Sequence, residues 1–151
     1  MKKTVGKAPD MEQFRKLLKD RELKATPQRL AVHEAMLALT HAGADSVAQY
    51  IKEHSGTDIS VASVYNILSS LADEKIYKRR MSSNNKMYFD VIASDHMHLY
   101  DTRFDEFKDI HDNNLLALLE SQMKGRKFKG YKIDGMDVQI ICHSTDRSRK
   151  K

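Results

Sequence analysis

Apolar side chains recur along the first half of the chain at the period of a helix. Met11, Phe14, Leu17 and Leu18 share one face and predict a first helix over residues 11–20. Thr26-Pro27 reads as an N-cap followed by proline at the first helical position. Leu30, Val32, Ala35, Met36 and Leu39 then form the inner face of a second helix. A third runs from about residue 44 to 53, with Val47, Tyr50 and Ile51 inward and Gly56 as its stop. Ser60 can cap a fourth, in which Val64, Ile67, Leu68 and Leu71 stand at i, i+3, i+4 and i+7.

After Asp73 the period changes. Residues 76–81 and 87–92 are expected to be two strands around the polar turn Ser82-Ser83-Asn84-Asn85. Short helices followed by a hairpin make the winged helix-turn-helix pattern. Beyond Ser94 the reading is mixed: strands over 96–100 and 104–110, a helix over 113–123, and a β-rich stretch over 128–143. The fold class expected is therefore α+β. A DNA-binding domain over 1–92, its first ten residues a loose basic arm, precedes a small α/β domain over 93–146. Residues 147–151 are charged and expected to be a disordered tail.

Composition narrows the class. The longest aliphatic run, Leu115-Leu116-Ala117-Leu118-Leu119, is far short of the ~20 residues that a membrane span needs. No apolar segment follows the first lysines, so no signal peptide is expected and the chain reads as cytoplasmic. A single cysteine, Cys142, excludes an internal disulfide framework and a four-cysteine zinc site within one chain. The net charge is +5, with 15 basic against 11 acidic residues up to Val91 and 11 against 10 after it. The excess lies in the first part, where it favours a polyanionic partner.

The fourth helix sharpens that expectation. Its outer face, Ala62, Ser63, Tyr65, Asn66, Ser69 and Ser70, is small and polar and carries no acid, so it suits a major groove. Tyr65 can donate to a phosphate or meet a thymine methyl, and Asn66 can read adenine or hold the backbone. Lys78, Arg79 and Arg80 on the hairpin, with Lys24 and Arg29 around the start of the second helix, are candidates for phosphate contacts.

A second constellation points to metal. In a strand, His96 and His98 of His96-Met97-His98 face the same way. Together with Asp90, Asp109 and His41 they would give three imidazoles and two carboxylates. That shell suits one divalent ion, Fe(II), Mn(II), Zn(II) or Co(II), and the order of affinities alone does not choose among them. Two strand histidines are more often exposed residues, and His33, His54 and His111, which lack comparable partner spacing, are read as surface or partly buried. Cys142-His143 is either a soft ligand pair or a small core residue beside an incidental histidine. The same shell could serve a catalytic metal, but no HExxH motif or glycine-rich loop accompanies it, which points away from an enzyme. A metal-independent winged-helix protein is the other reading left open.

Three stretches, Lys24-Ala-Thr-Pro-Gln-Arg29, Asp58-Ile-Ser-Val-Ala-Ser-Val-Tyr-Asn-Ile-Leu68 and Asp95-His-Met-His98, resemble the ferric uptake regulator superfamily over about residues 12–143. The resemblance implies a dimeric, metal-responsive repressor of iron homeostasis, with residues 93–146 as a small α/β dimerisation domain, that binds an AT-rich palindromic operator on double-stranded DNA. It assigns His41, Asp90, His96, His98 and Asp109 to a regulatory metal site, Lys24 to a minor-groove contact, and Tyr65 to the recognition helix. The chain departs from the family pattern in several places. Asp101-Thr-Arg-Phe104 and Ser144-Thr-Asp-Arg147 stand where many members carry paired cysteines for structural zinc, so that zinc is not expected. Met97 replaces a carboxylate, and Gly135 and Met136 lie where a further site draws a histidine, so that site is expected to be lost too. Asp109 stands where iron-sensing members generally have glutamate and peroxide-sensing members often have aspartate, which keeps peroxide sensing as an alternative.

Overall fold

A computed structural model of the chain describes residues 7–94 and 96–150. The start of the basic arm, Asp95 of the histidine motif and Lys151 lie outside the described residues. The chain separates into two compact units that meet in sequence between Ala93 and Ser94.

The first unit holds α1 (Met11–Asp20), α2 (Pro27–Leu39), β1 (His41–Ala42), α3 (Ala44–Ser55), α4 (Val61–Asp73), β2 (Lys78–Met81) and β3 (Met87–Asp90). Local chemistry fixes the helix ends. Asp10 accepts from the Gln13 amide at 2.8 Å while the Gln13 side chain accepts from the Asp10 amide, a reciprocal capping box. Thr26 caps α2, Ser60 caps α4, and Gly56 ends α3 in the left-handed region at φ 68°.

Phe14, Leu18, Val32, Met36, Val47, Ile51, Val64, Leu68 and Leu71 pack into one core from all four helices. Truncating any of the larger ones to alanine costs about 2–5 kcal/mol, so this core dominates the unit's stability. The three strands form an antiparallel sheet in the order β1-β3-β2. Phe89 joins the helical core, and strand alternation therefore turns Asp90 to the other face.

His33, expected to be at the surface or partly buried, is fully buried in this unit. Its ring stacks on Phe14 with centroids 3.9 Å apart. Nε2 donates to the Pro9 carbonyl at 2.7 Å, which leaves Nδ1 to accept from the Tyr77 hydroxyl at 2.6 Å. Burial pushes the imidazole below its ordinary range, and burial likewise raises the Tyr77 phenol.

The second unit holds β4 (Met97–Asp101), β5 (Glu106–Ile110), α5 (Asn113–Met123) and β6 (Val138–Cys142). Its sheet runs β5-β4-β6, with β4 antiparallel to β5 and parallel to β6. Two expectations need correction. The stretch 128–143 is not β-rich throughout: one bridge, Phe128 to Tyr131, precedes β6. Gly125 and Gly130 adopt positive φ there and turn the chain before any ladder can extend.

Nor is the tail loose. The Arg149 guanidinium pairs with Glu106 and covers the Phe104 ring at 3.9 Å, and the Arg103 guanidinium donates to the Asp146 and Arg149 carbonyls at 3.1 and 2.9 Å. Asp101 Oδ1 accepts from the amides of Arg103 and Ser144. Burial pushes the Asp101 carboxyl up, but these N–H groups outweigh it and hold the group below the usual carboxylate range. Cys142 is half-buried, its thiol on the Tyr100 carbonyl.

Candidate metal centre and nucleic-acid interface

Each unit contains a histidine–aspartate pair made by strand register. In the first unit β1 sets His41 directly opposite Asp90 on β3, with Nε2 3.4 Å from Oδ2. Asp90 is fully buried. Its Oδ1 accepts from the Ile92 amide at 2.9 Å, and its Oδ2 takes Nε of Arg80 at 2.7 Å. The turn that delivers His41 is strained. Thr40, a β-branched residue, has φ 64°, and its carbonyl accepts from the Val91 amide, tying the start of β1 to the end of β3.

In the second unit β4 sets His98 opposite Asp109 on β5. Nε2 of His98 lies 3.1 Å from Asp109 Oδ1, and Nε2 of His96 lies 3.0 Å from the same oxygen. Both imidazoles are buried, with ring centroids 4.3 Å apart, and the Phe107 ring meets His98 edge-on.

The tautomers show what this second cluster can hold. A carbonyl only accepts, so Nδ1 of His96 carries the proton it gives to the Ser94 carbonyl at 2.7 Å. In the neutral ring Nε2 then presents a lone pair to a carboxylate oxygen at 3.0 Å, and two lone pairs at that range repel. Giving His96 a second proton would place a cation in a fully buried position against the neighbouring imidazole, which is costly. A divalent ion accepting both nitrogens and the carboxylate removes both penalties, and a backbone carbonyl behind Nδ1 is the usual second partner of a ligating histidine. The donor set fits a divalent metal of borderline hardness.

The DNA-facing candidates divide. On α4, Val61, Ala62, Tyr65 and Asn66 are exposed, whereas the Ser63 hydroxyl takes a hydrogen bond from Ser60 at 2.8 Å and sits partly covered. The edge of the Tyr65 ring meets Phe89, which steadies it. Lys24 is exposed, and the Arg29 guanidinium donates to the Lys24 carbonyl at 2.8 Å, bracing the loop that presents that lysine. Lys78 is half-exposed. Arg79 is exposed but ties the wing to the end of α4 through the Ser69 carbonyl and Asp73.

Arg80 is the correction. Its side chain is 1% exposed and bound to Asp90, so it cannot serve as the phosphate contact expected of it. Period-two alternation along β2 was the available signal: Arg79 and Arg80 must face opposite ways.

The model of the ferric uptake regulator family matches residues 20–140. The peroxide operon regulator of Bacillus subtilis (strain 168) is 25% identical over 145 residues, covering 95% of this chain and 97% of that protein. The Campylobacter jejuni peroxide stress regulator superposes with a TM-score of 0.63 at 27% identity, covering 87% of this chain and 96% of that one. The Vibrio cholerae ferric uptake regulator superposes with a TM-score of 0.70 at 20% identity, covering 87% and 99%. No helix among the described residues is long and apolar enough to cross a membrane. With a winged helix ahead of a small α/β unit, buried histidine–aspartate pairs in both, and a family match over most of its length, this chain belongs to the ferric uptake regulator family, whose members are metal-responsive, DNA-binding transcription regulators rather than enzymes.

Proposed function

We propose that this chain is a metal-dependent repressor, acting as a homodimer, in which one divalent ion takes ligands from both pairs: His41 and Asp90 with His96, His98 and Asp109. The observation that carries the reading is the convergence of His96 and His98 on one Asp109 oxygen, an arrangement a shared cation relieves. When bound, the ion supplies a positive centre that five residues of this chain can share. A twofold dimer reads a palindrome only if its two recognition helices keep a fixed separation. An ion that binds best when both pairs are available favours that state over a freely hinged one. Exposed apolar residues on the second unit, among them Leu118, Ile140 and Ile141, supply material for a subunit interface. Among the contacts with DNA, Lys24, Tyr65, Asn66 and Lys78 are assigned to the operator, with Arg29 bracing the Lys24 loop.

The test is fluorescence anisotropy on an AT-rich palindromic duplex selected by the protein, in chelator and in Mn(II), Fe(II) without oxygen, or Zn(II). Metal should tighten binding several-fold to about 100-fold, and His98→Ala should abolish that gain. Equally tight binding in chelator would leave a metal-independent winged-helix regulator instead.

The regulated process is iron homeostasis in the first reading. Peroxide sensing is the second, favoured by Asp109 and by two peroxide regulators at 25% and 27% identity. It requires that peroxide treatment of the Fe(II) form add oxygen to a peptide carrying His41, His96 or His98. Mass spectrometry decides between them.

A further inference from the structure

The Arg80–Asp90 pair is a buried salt bridge inside a proposed metal half-site. Its partners are 1% and 0% exposed at 2.7 Å, and Arg80 reaches Asp90 diagonally across the β2–β3 ladder, where its own register partner is Tyr88. A guanidinium keeps its charge under all ordinary conditions. Asp90 therefore has a resident counter-ion, and His41, Asp90 and Arg80 together carry no net charge when the imidazole is neutral.

We infer that Arg80 is a positioning residue that stands in for the metal at Asp90: it holds the carboxylate in place and compensates its charge in the metal-free protein, and it lowers the affinity for the ion that arrives. The inference rests on the proposed clamp. The physical reason is a difference between two states. Without metal, removing the Arg80 charge takes the guanidinium away from a buried carboxylate, the costly half of breaking a buried pair. With metal bound, the ion itself compensates Asp90, and Arg80 adds only repulsion at short range. Losing the charge therefore harms the metal-free state more than the loaded one, and linkage turns that difference into tighter binding. A pairing that only rigidified the hairpin would act in the opposite sense, since its loss would disorder Asp90 and weaken metal binding.

The experiment titrates the full-length protein with Mn(II) and follows both affinity and thermal melting. Arg80→Gln keeps an N–H donor for Asp90 but removes the charge. It should melt lower in chelator, bind Mn(II) about tenfold or more tightly than the parent, and gain more in melting temperature on loading. Arg80→Lys keeps the charge and should stay within about threefold of the parent affinity.

Should Arg80→Gln not fold in chelator, refolding on addition of Mn(II) carries the same conclusion. Failure to refold at saturating Mn(II) overturns it, as does Mn(II) affinity equal to or weaker than the parent's. A parent protein that takes up no Mn(II) removes the clamp itself. Parent binding without tightening in Arg80→Gln removes only the role given to Arg80.

Discussion

The β1–β3 and β4–β5 ladders use one device for different electrostatic ends. Each is antiparallel and each sets a histidine opposite an aspartate, His41 on Asp90 and His98 on Asp109. Around Asp90 the chain adds an arginine; around Asp109 it adds a second histidine. The first pair is thus complete as an ion pair before any metal arrives. The second asks for a cation, because two imidazole nitrogens crowd one carboxylate oxygen. Similar local geometry therefore yields a pair already compensated by an arginine in one unit and a crowded carboxylate in the other, both of which the proposed ion would share, and the neighbour of the aspartate makes the difference.

That contrast is broken most severely by removing the aspartates in turn. Asp90→Ala leaves the Arg80 guanidinium buried without its carboxylate and should cost about 3–5 kcal/mol in chelator, measured by denaturant unfolding. Asp109→Ala takes away a carboxylate that is 11% exposed and lies against two imidazoles. It should cost under about 1 kcal/mol in chelator and still abolish the metal-dependent gain in DNA binding. Equal costs for the two variants would erase the distinction drawn between the units.

Acid sharpens the comparison at the next level. His33 in the first unit is held below its ordinary pKa by burial, so the unfolded chain binds a proton first as pH falls. Stability of that unit should decline once pH drops below about 6.5, and more steeply the further it goes towards the lowered folded value. In the second unit Asp101 and Asp146 are held below the carboxylate range, Asp146 chiefly by the Ser148 hydroxyl and amide. Their contribution is present at neutral pH and is lost only as pH falls below about 3.9. Hydrogen exchange resolved by segment should therefore show residues 7–93 loosening as pH falls below about 6.5. His33→Gln should flatten the first transition.

The smallest effect expected is at the wing. Arg79 and Asp73 form an exposed pair at 2.9 Å, and Arg79→Ala should cost less than about 1 kcal/mol by thermal melting. Against the large cost at Asp90, this separates two adjacent arginines that the composition alone treats as equivalent.

Much of this was legible in the sequence where a local rule acts. Helix spacing and caps located α1 to α4, since Thr26-Pro27, Ser60 and Gly56 set boundaries through their own backbone chemistry. The His96-x-His98 spacing forecast a shared face, because side chains alternate along a strand. What the local rules could not supply was the partner across the sheet. That Asp109 lies opposite His98, and Asp90 opposite His41, depends on register set by turns and packing elsewhere. The stretch 128–143 misled because its lysines and glycines carry no alternation strong enough to separate a strand from a turn.

The order of elements, the family and the residue types able to hold a metal were determined by the chain as written, since they follow from periodicity and from motifs that no neighbour can change. Only the tertiary structure decided which charges are already compensated. Arg79 and Arg80 are chemically identical and adjacent, yet one meets solvent beside Asp73 and the other lies buried on Asp90. His33, expected to be at the surface or partly buried, fills the space between Phe14 and Tyr77. A basic tail is pinned through Arg103, Phe104 and Arg149. In each case the outcome turns on desolvation and on a partner distant in sequence. Both are properties of the packed molecule, because a charge changes its energy only when folding removes its water and brings another group within reach.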